Sequence, residues 1–102
     1  MRIISPTRLK EFWAKHRDAE NPLTHWYDLT RHAAWQNPAD VRRTFGPTDF
    51  VRVASGKSVA VFDIGGNKYR LIAAIHYDKQ TTFVLRVLTH REYDKRKWID
   101  EL

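Results

Sequence analysis

The sequence predicts an α+β domain, a layer of short helices followed by a small, mainly antiparallel sheet, and three observations carry that prediction. In the first half, apolar residues recur at helical spacing between proline-containing breaks. From residue 59 onward they alternate at strand spacing between short turns. A helix-start signal, Thr89-His90-Arg91-Glu92, follows the last strand pattern. The expected order is β-ααα-βββ-α, with the N-terminal helices packed on one face of the sheet and a short helix at the C-terminus.

Arg2-Ile3-Ile4 is β-prone and reads as a short opening strand that ends at Ser5-Pro6. Ser5 is placed to cap a helix, with Pro6 in its first turn, where a missing N–H does no harm. Leu9, Phe12, Trp13 and His16 then share one helical face. Asn21-Pro22 is expected to stop that helix and start a second, whose buried stripe is Leu23, Trp26, Tyr27, Thr30, Ala33 and Ala34. Asn37-Pro38 opens a third, short helix through Val41 to Phe45, closed by Gly46-Pro47.

Residues 59–64 form the first strand of the second half, and Gly65-Gly66-Asn67 supplies residues that tolerate a positive φ, as a hairpin turn needs. Residues 69–75 return, Asp78-Lys79-Gln80 turns again, and residues 82–88 make the third strand of this meander. The capping box at Thr89 launches a last helix expected to run to about Trp98. No repeat, low-complexity segment or linker divides residues 1–102, so a single domain is expected.

The formal charge is +6 and is shared evenly between the two halves, so any basic patch has to be assembled by folding. Such a balance fits an anionic partner such as nucleic acid. Four Trp, four Tyr and five Phe exceed what a small core demands and suit base stacking. Cysteine is absent, which excludes disulfides, thiol nucleophiles and cysteine zinc sites. No apolar run has the length of a membrane span, and the N-terminus lacks the apolar core of a signal peptide, so a cytoplasmic protein with no membrane partner is expected.

Strand alternation puts Arg70, Ile72, Ala74 and His76 on one face and Tyr69, Leu71, Ala73, Ile75 and Tyr77 on the other. In the next strand Val84, Arg86 and Leu88 are expected to share a face opposite Phe83, Leu85 and Val87. Arg70 and Arg86 therefore stand among apolar neighbours, either as phosphate ligands, as edge arginines snorkelling past the core, or in a structural ion pair with Asp63. Lys57 and Lys68 flank the hairpin as mobile point charges. His90 and Tyr93, three apart on a helix, share a face, either offering an imidazole and a phenol for proton transfer or simply starting the helix and packing against the sheet. The remaining histidines show no metal-ligand spacing, so neither metal nor cofactor is expected.

The run Val61-Phe62-Asp63-Ile64-Gly65-Gly66-Asn67-Lys68-Tyr69-Arg70-Leu71-Ile72, followed by Thr89-His90-Arg91-Glu92-Tyr93-Asp94-Lys95, resembles the HigB family of toxins from type II toxin–antitoxin modules. Arg2-Ile3-Ile4-Ser5 and Phe12-Trp13 extend the resemblance over nearly the whole chain. It implies a RelE-like fold and an mRNA interferase that cuts messages on the ribosome without metal, by attack of the substrate's own 2′-hydroxyl on the adjacent phosphate. It also implies neutralisation by a HigA-type helix-turn-helix antitoxin, with operator DNA touched only through that antitoxin. Carried onto this sequence, Arg70 serves the phosphate and the transition-state charge. His90 and Tyr93 serve acid–base work or substrate orientation, with their roles interchangeable at this level. Lys68 aids RNA docking, and Arg86, Lys57 and Lys95 are added as phosphate contacts from the residue reading alone. The competing reading is a non-catalytic RNA- or ribosome-binding inhibitor of translation using the same basic face.

Overall fold

The computed structural model describes residues 1–102. Its elements are β1 (Arg2–Ile4), α1 (Thr7–Lys15), a 3₁₀ turn (Arg17–Ala19), α2 (Glu20–His32), α3 (Pro38–Thr44), β2 (Asp49–Arg52), β3 (Ser58–Ile64), β4 (Tyr69–His76), β5 (Thr81–Thr89), α4 (His90–Asp94) and α5 (Lys97–Glu101). The α+β architecture is the expected one. The five strands form one sheet in the order β1-β5-β4-β3-β2, antiparallel except where β1 runs parallel to β5. No helix is long and apolar enough to cross a membrane.

Several local expectations are corrected. Ser5 does not cap α1: it sits at φ 63°, and the N-cap is Pro6 with no side-chain bond. The first helix ends at Lys15, well before Asn21-Pro22, and a 3₁₀ turn carries the chain into α2. Pro22 is tolerated inside the first turn of α2 because the N–H it lacks has no partner there. Asn37, by contrast, caps α3 as expected, accepting from the Asp40 N–H at 3.0 Å. The short strand β2 was not anticipated, since four residues bounded by Asp49 and Arg52 leave almost no alternation to read. The C-terminal helix is two helices, because Arg96 takes a left-handed conformation at φ 61° between Asp94 and Lys97.

A bulge also changes which residues share a face. Arg70 pairs with Leu88 and Ile72 with Arg86, but Ala73 pairs with Val84, so Leu85 is the extra residue. Val84 therefore joins the helix-side core and does not share a face with Arg86 and Leu88. Phe83 and Leu85 face the other side, apart from Val87.

Two apolar clusters follow from this arrangement. On one face, α1, α2 and α3 cover Phe62, Leu71 and Ala73, with Leu23, Trp26, Trp35 and Val41 buried above them. Phe62 anchors this side, lying 5.4 Å edge-on from both Trp26 and Phe45. Burying side chains of this size contributes roughly 1.5–3 kcal/mol each. On the other face a smaller cluster of Val53, Val59, Val61 and Ile72 is covered by Trp98 of α5. The five residues of α5 cannot span that face, so much of it stays open.

Candidate active site

The hairpin turn between β3 and β4 and the start of α4 meet at one end of the sheet. Gly65 and Gly66 turn the chain at φ 64° and 71°, a region that glycine enters without a Cβ penalty. Thr89 and Glu92 complete the capping box: Thr89 Oγ1 accepts from the Glu92 N–H at 3.2 Å, and Glu92 Oε1 accepts from the Thr89 N–H at 3.0 Å. The His90 N–H then donates to the Lys68 carbonyl at 3.1 Å, tying α4 to the turn.

Arg70 lies at the centre of this junction and is only 8% exposed. Asp63 faces it across the hairpin register, with Nε 3.2 Å from Oδ1. Nη1 donates to the Asn67 and Tyr69 carbonyls at 3.2 and 3.1 Å, and Nη2 donates to Asn67 Oδ1. All three guanidinium nitrogens thus have protein partners. The structural ion pair with Asp63 is present, and Asn67, a turn residue by its place in the sequence, closes the remaining contacts together with the Tyr69 carbonyl.

Tyr93 leans over this guanidinium, whose carbon is 5.3 Å from the ring centroid. Its ring also stacks on Trp98 at 5.2 Å and 17°, and the indole N–H donates to the Tyr93 carbonyl at 3.1 Å. Burial is the main cause that raises the phenol above the ordinary tyrosine value, and Asp49 adds to it, while Arg96 and Arg70 pull the other way. The net effect keeps Tyr93 a protonated donor at neutral pH. His90, one turn earlier on α4, is exposed and its Nε2 lies 3.2 Å from Asp94 Oδ2. That i,i+4 spacing was legible in the sequence but not singled out. The Trp98 contact was not legible, because it depends on the left-handed break at Arg96.

The other residues singled out from the sequence scatter. Lys68 turns to the helix side, where its Nζ lies 2.7 Å from Asp18 Oδ2. The Tyr69 hydroxyl donates to the other oxygen of the same carboxylate. Hydrogen bonds from Lys68 and Tyr69 hold Asp18 below the usual carboxylate value, and in return Asp18 raises both Lys68 and Tyr69. Arg86 donates to the Leu85 carbonyl at 2.9 Å and stands 3.8 Å from Glu101. Arg86 and Lys95 line one cleft with Lys97 and Trp98. Lys57 sits before β3, at the opposite end of that strand from the turn. The structure therefore joins Arg70, Tyr93 and the helix bearing His90, joins Arg86 to Lys95, and separates Lys57 and Lys68 from the first group.

Comparison with known proteins matches residues 19–96 to the HigB toxin family, described as the RelE-like toxic component of a toxin-antitoxin system. Similar chains include the mRNA interferase HigB of Escherichia coli O6:H1, 30% identical over 95 residues that span 93% of this chain and 90% of the relative. The mRNA interferase toxin HigB of Escherichia coli K12 is 24% identical over 94 residues, spanning 92% of this chain and 88% of the relative. The mRNA interferase HigB of Shigella flexneri is similar to the same extent.

Proposed function

This chain belongs to the HigB family of RelE-like toxins, and on that premise we propose that it is an mRNA interferase whose reacting groups are His90 and Tyr93, the latter set over the buried Arg70. The observation that carries this reading is the contact of the Tyr93 ring with the Arg70 guanidinium, on the same short helix as an exposed imidazole that lies 3.2 Å from a carboxylate. The substrate is messenger RNA on the ribosome, and the reaction is metal-independent. His90 takes the proton of the 2′-hydroxyl, with Asp94 fixing the ring. The 2′-oxygen attacks the adjacent phosphorus, and the bond to the 5′-oxygen breaks. Tyr93 donates its proton to that leaving oxygen, giving a 2′,3′-cyclic phosphate and a 5′-hydroxyl.

Arg70 supports this step from beneath. Its contacts with Asp63, Asn67 and Tyr69 fix its charge in place, where it stabilises negative charge building on the phenol oxygen and the phosphorane. Lys57, Arg86 and Lys95 are assigned to phosphates outside the reacting one, and Lys68 joins them when RNA competes with Asp18. A HigA-type helix-turn-helix antitoxin neutralises the toxin in the cytoplasm and links it to operator DNA.

Primer extension on translated messages tests the reading. New 5′ ends that carry a hydroxyl, and loss of cleavage when the attacked nucleotide is 2′-deoxy, are expected. A 5′-phosphate, or unchanged cutting of the deoxy substrate, overturns the intramolecular mechanism. Translation blocked without new ends identifies the chain as a non-catalytic RNA or ribosome binder.

A further inference from the structure

Beyond the Tyr93 junction, the second face of the sheet carries two clefts. The smaller, of about 230 Å³, lies between β5 and α5 and is bordered by Arg86, Lys95 and Lys97. The larger, of about 740 Å³, has an apolar floor that includes Val59, Phe83 and Leu85, with Lys57 and His76 on its rim. They share no lining residue, but residues adjacent in sequence line the two. Leu85 and Arg86 are neighbours on β5, and Glu101 and Leu102 are neighbours at the end of α5. The loose Arg86–Glu101 pair, at 3.8 Å, joins those two places in the chain.

The charges suit a polyanion. Four cations, Lys57, Arg86, Lys95 and Lys97, line this path. Of the carboxylates, Glu92 is engaged in the capping box and Glu101 faces Arg86, leaving Asp78 at the far rim. The apolar end suits a base, because Phe83 and His76 already meet edge to face at 5.0 Å and His76 is exposed. Cations along a track with an aromatic platform at its end are the two ingredients of single-strand recognition.

We propose that the RNA strand leaving the Tyr93–His90 site runs between β5 and α5, its phosphates over Lys95, Lys97 and Arg86, and lays an unstacked base against Phe83 and His76 beside Lys57. A phosphate displaces Glu101 from Arg86, and the far cavity becomes a sequence-preference site remote from the cut bond. This rests on the mRNA interferase reading and adds a substrate path to it. It also gives Lys57, stranded at the wrong end of β3 for the cleavage step, a place on the same RNA.

The test is affinity against length, using RNA oligonucleotides 2′-deoxy at the attacked position and extended one nucleotide at a time in each direction. Wild-type protein is expected to gain affinity sharply at one added nucleotide, on one side only. His76→Ala and Phe83→Ala are expected to remove that step, a loss of roughly 5- to 100-fold for the longer oligonucleotides. His76 is exposed, so its variant stays informative if Phe83→Ala unfolds. A step untouched in the folded His76→Ala and Lys57→Ala proteins overturns the path. A step abolished by Arg8→Ala or Lys15→Ala overturns it too, because those residues line the helix-side groove that leads away from Arg86 in place of the path to His76. Loss of the path with translated messages still cut leaves the mRNA interferase reading standing, whereas no binding at any length and no cleavage overturns both.

Discussion

Replacing Tyr93 with phenylalanine separates what its hydroxyl does from what its ring does. The ring stacks on Trp98 and covers the Arg70 guanidinium, and phenylalanine keeps both contacts. No hydrogen-bond partner of the Tyr93 hydroxyl is lost, because the Trp98 indole donates to the Tyr93 backbone carbonyl. Stability is therefore expected to change by less than about 0.5 kcal/mol, as for a substitution that disturbs neither a cavity nor a network. Removing a positioned general acid, in contrast, slows the step by about 10²–10⁴. The alanine variant is the control. It forfeits roughly 0.5–1.5 kcal/mol of aromatic pairing and roughly 0.5–1 kcal/mol of cation–π contact. Each kcal/mol lowers Tm by about 4–8 °C in a domain of this size. Single-turnover cleavage and thermal denaturation on both variants give the answer. A Tyr93→Phe protein that melts like wild type and cuts within about threefold of it refutes the assignment of Tyr93 as proton donor. The raised phenol pKa adds a pH signature: the donor stays loaded through neutrality, and its loss at high pH sets in above the ordinary tyrosine range.

Other perturbations follow from the same contacts. Arg70→Lys breaks the fork to Asn67 and Tyr69 while keeping a charge, and is expected to cost about 1–3 kcal/mol in denaturant unfolding, with activity falling in the protein that remains folded. Arg96→Gly relieves a left-handed residue and is expected to raise stability by up to about 1 kcal/mol, read from the shift in denaturation midpoint. Thr89→Ala removes the cap on α4 and is expected to cost about 1 kcal/mol, with reduced cleavage because His90 is the first helical residue after it. Asp18→Asn tests pH linkage. The folded carboxyl titrates below its unfolded value, so its contribution is present above that value and lost as pH falls through the lower folded one. The variant is expected to match wild type in acid and differ from it at neutral pH, the difference shrinking with salt because the pair is exposed.

Much of the fold could be read because its signals are local. The cap at Asn37, the glycine turn at 65–66 and the capping box at Thr89 are each specified by residues within a few positions of one another, and all three appear where the sequence puts them. The misreadings arise where a local rule met a tertiary constraint. Serine before proline is a good cap in isolation, yet Ser5 is turned to a positive φ as the chain leaves the sheet edge for α1. Alternation assigns faces only while the register is unbroken, and the bulge at Leu85 needs knowledge of the partner strand.

The site divides in the same way. His90 and Tyr93 were visible as a helix face and Asp63 as a candidate ion-pair partner of Arg70, but the full closure around Arg70 was not, because Asn67 looks like a turn residue until the hairpin closes. That burial alters how mutants of Arg70 should be read. Truncation to alanine leaves Asp63 and the Asn67 amide without their partner, so lost toxicity in Arg70→Ala reports folding as much as chemistry. The exposed groups of the junction do not share this ambiguity. His90→Ala removes an exposed imidazole that pairs with Asp94 at the surface, and it should abolish cleavage without moving Tm by more than a few degrees. A His90→Ala protein that melts normally and still arrests growth would leave the proton acceptor to be sought elsewhere on this face.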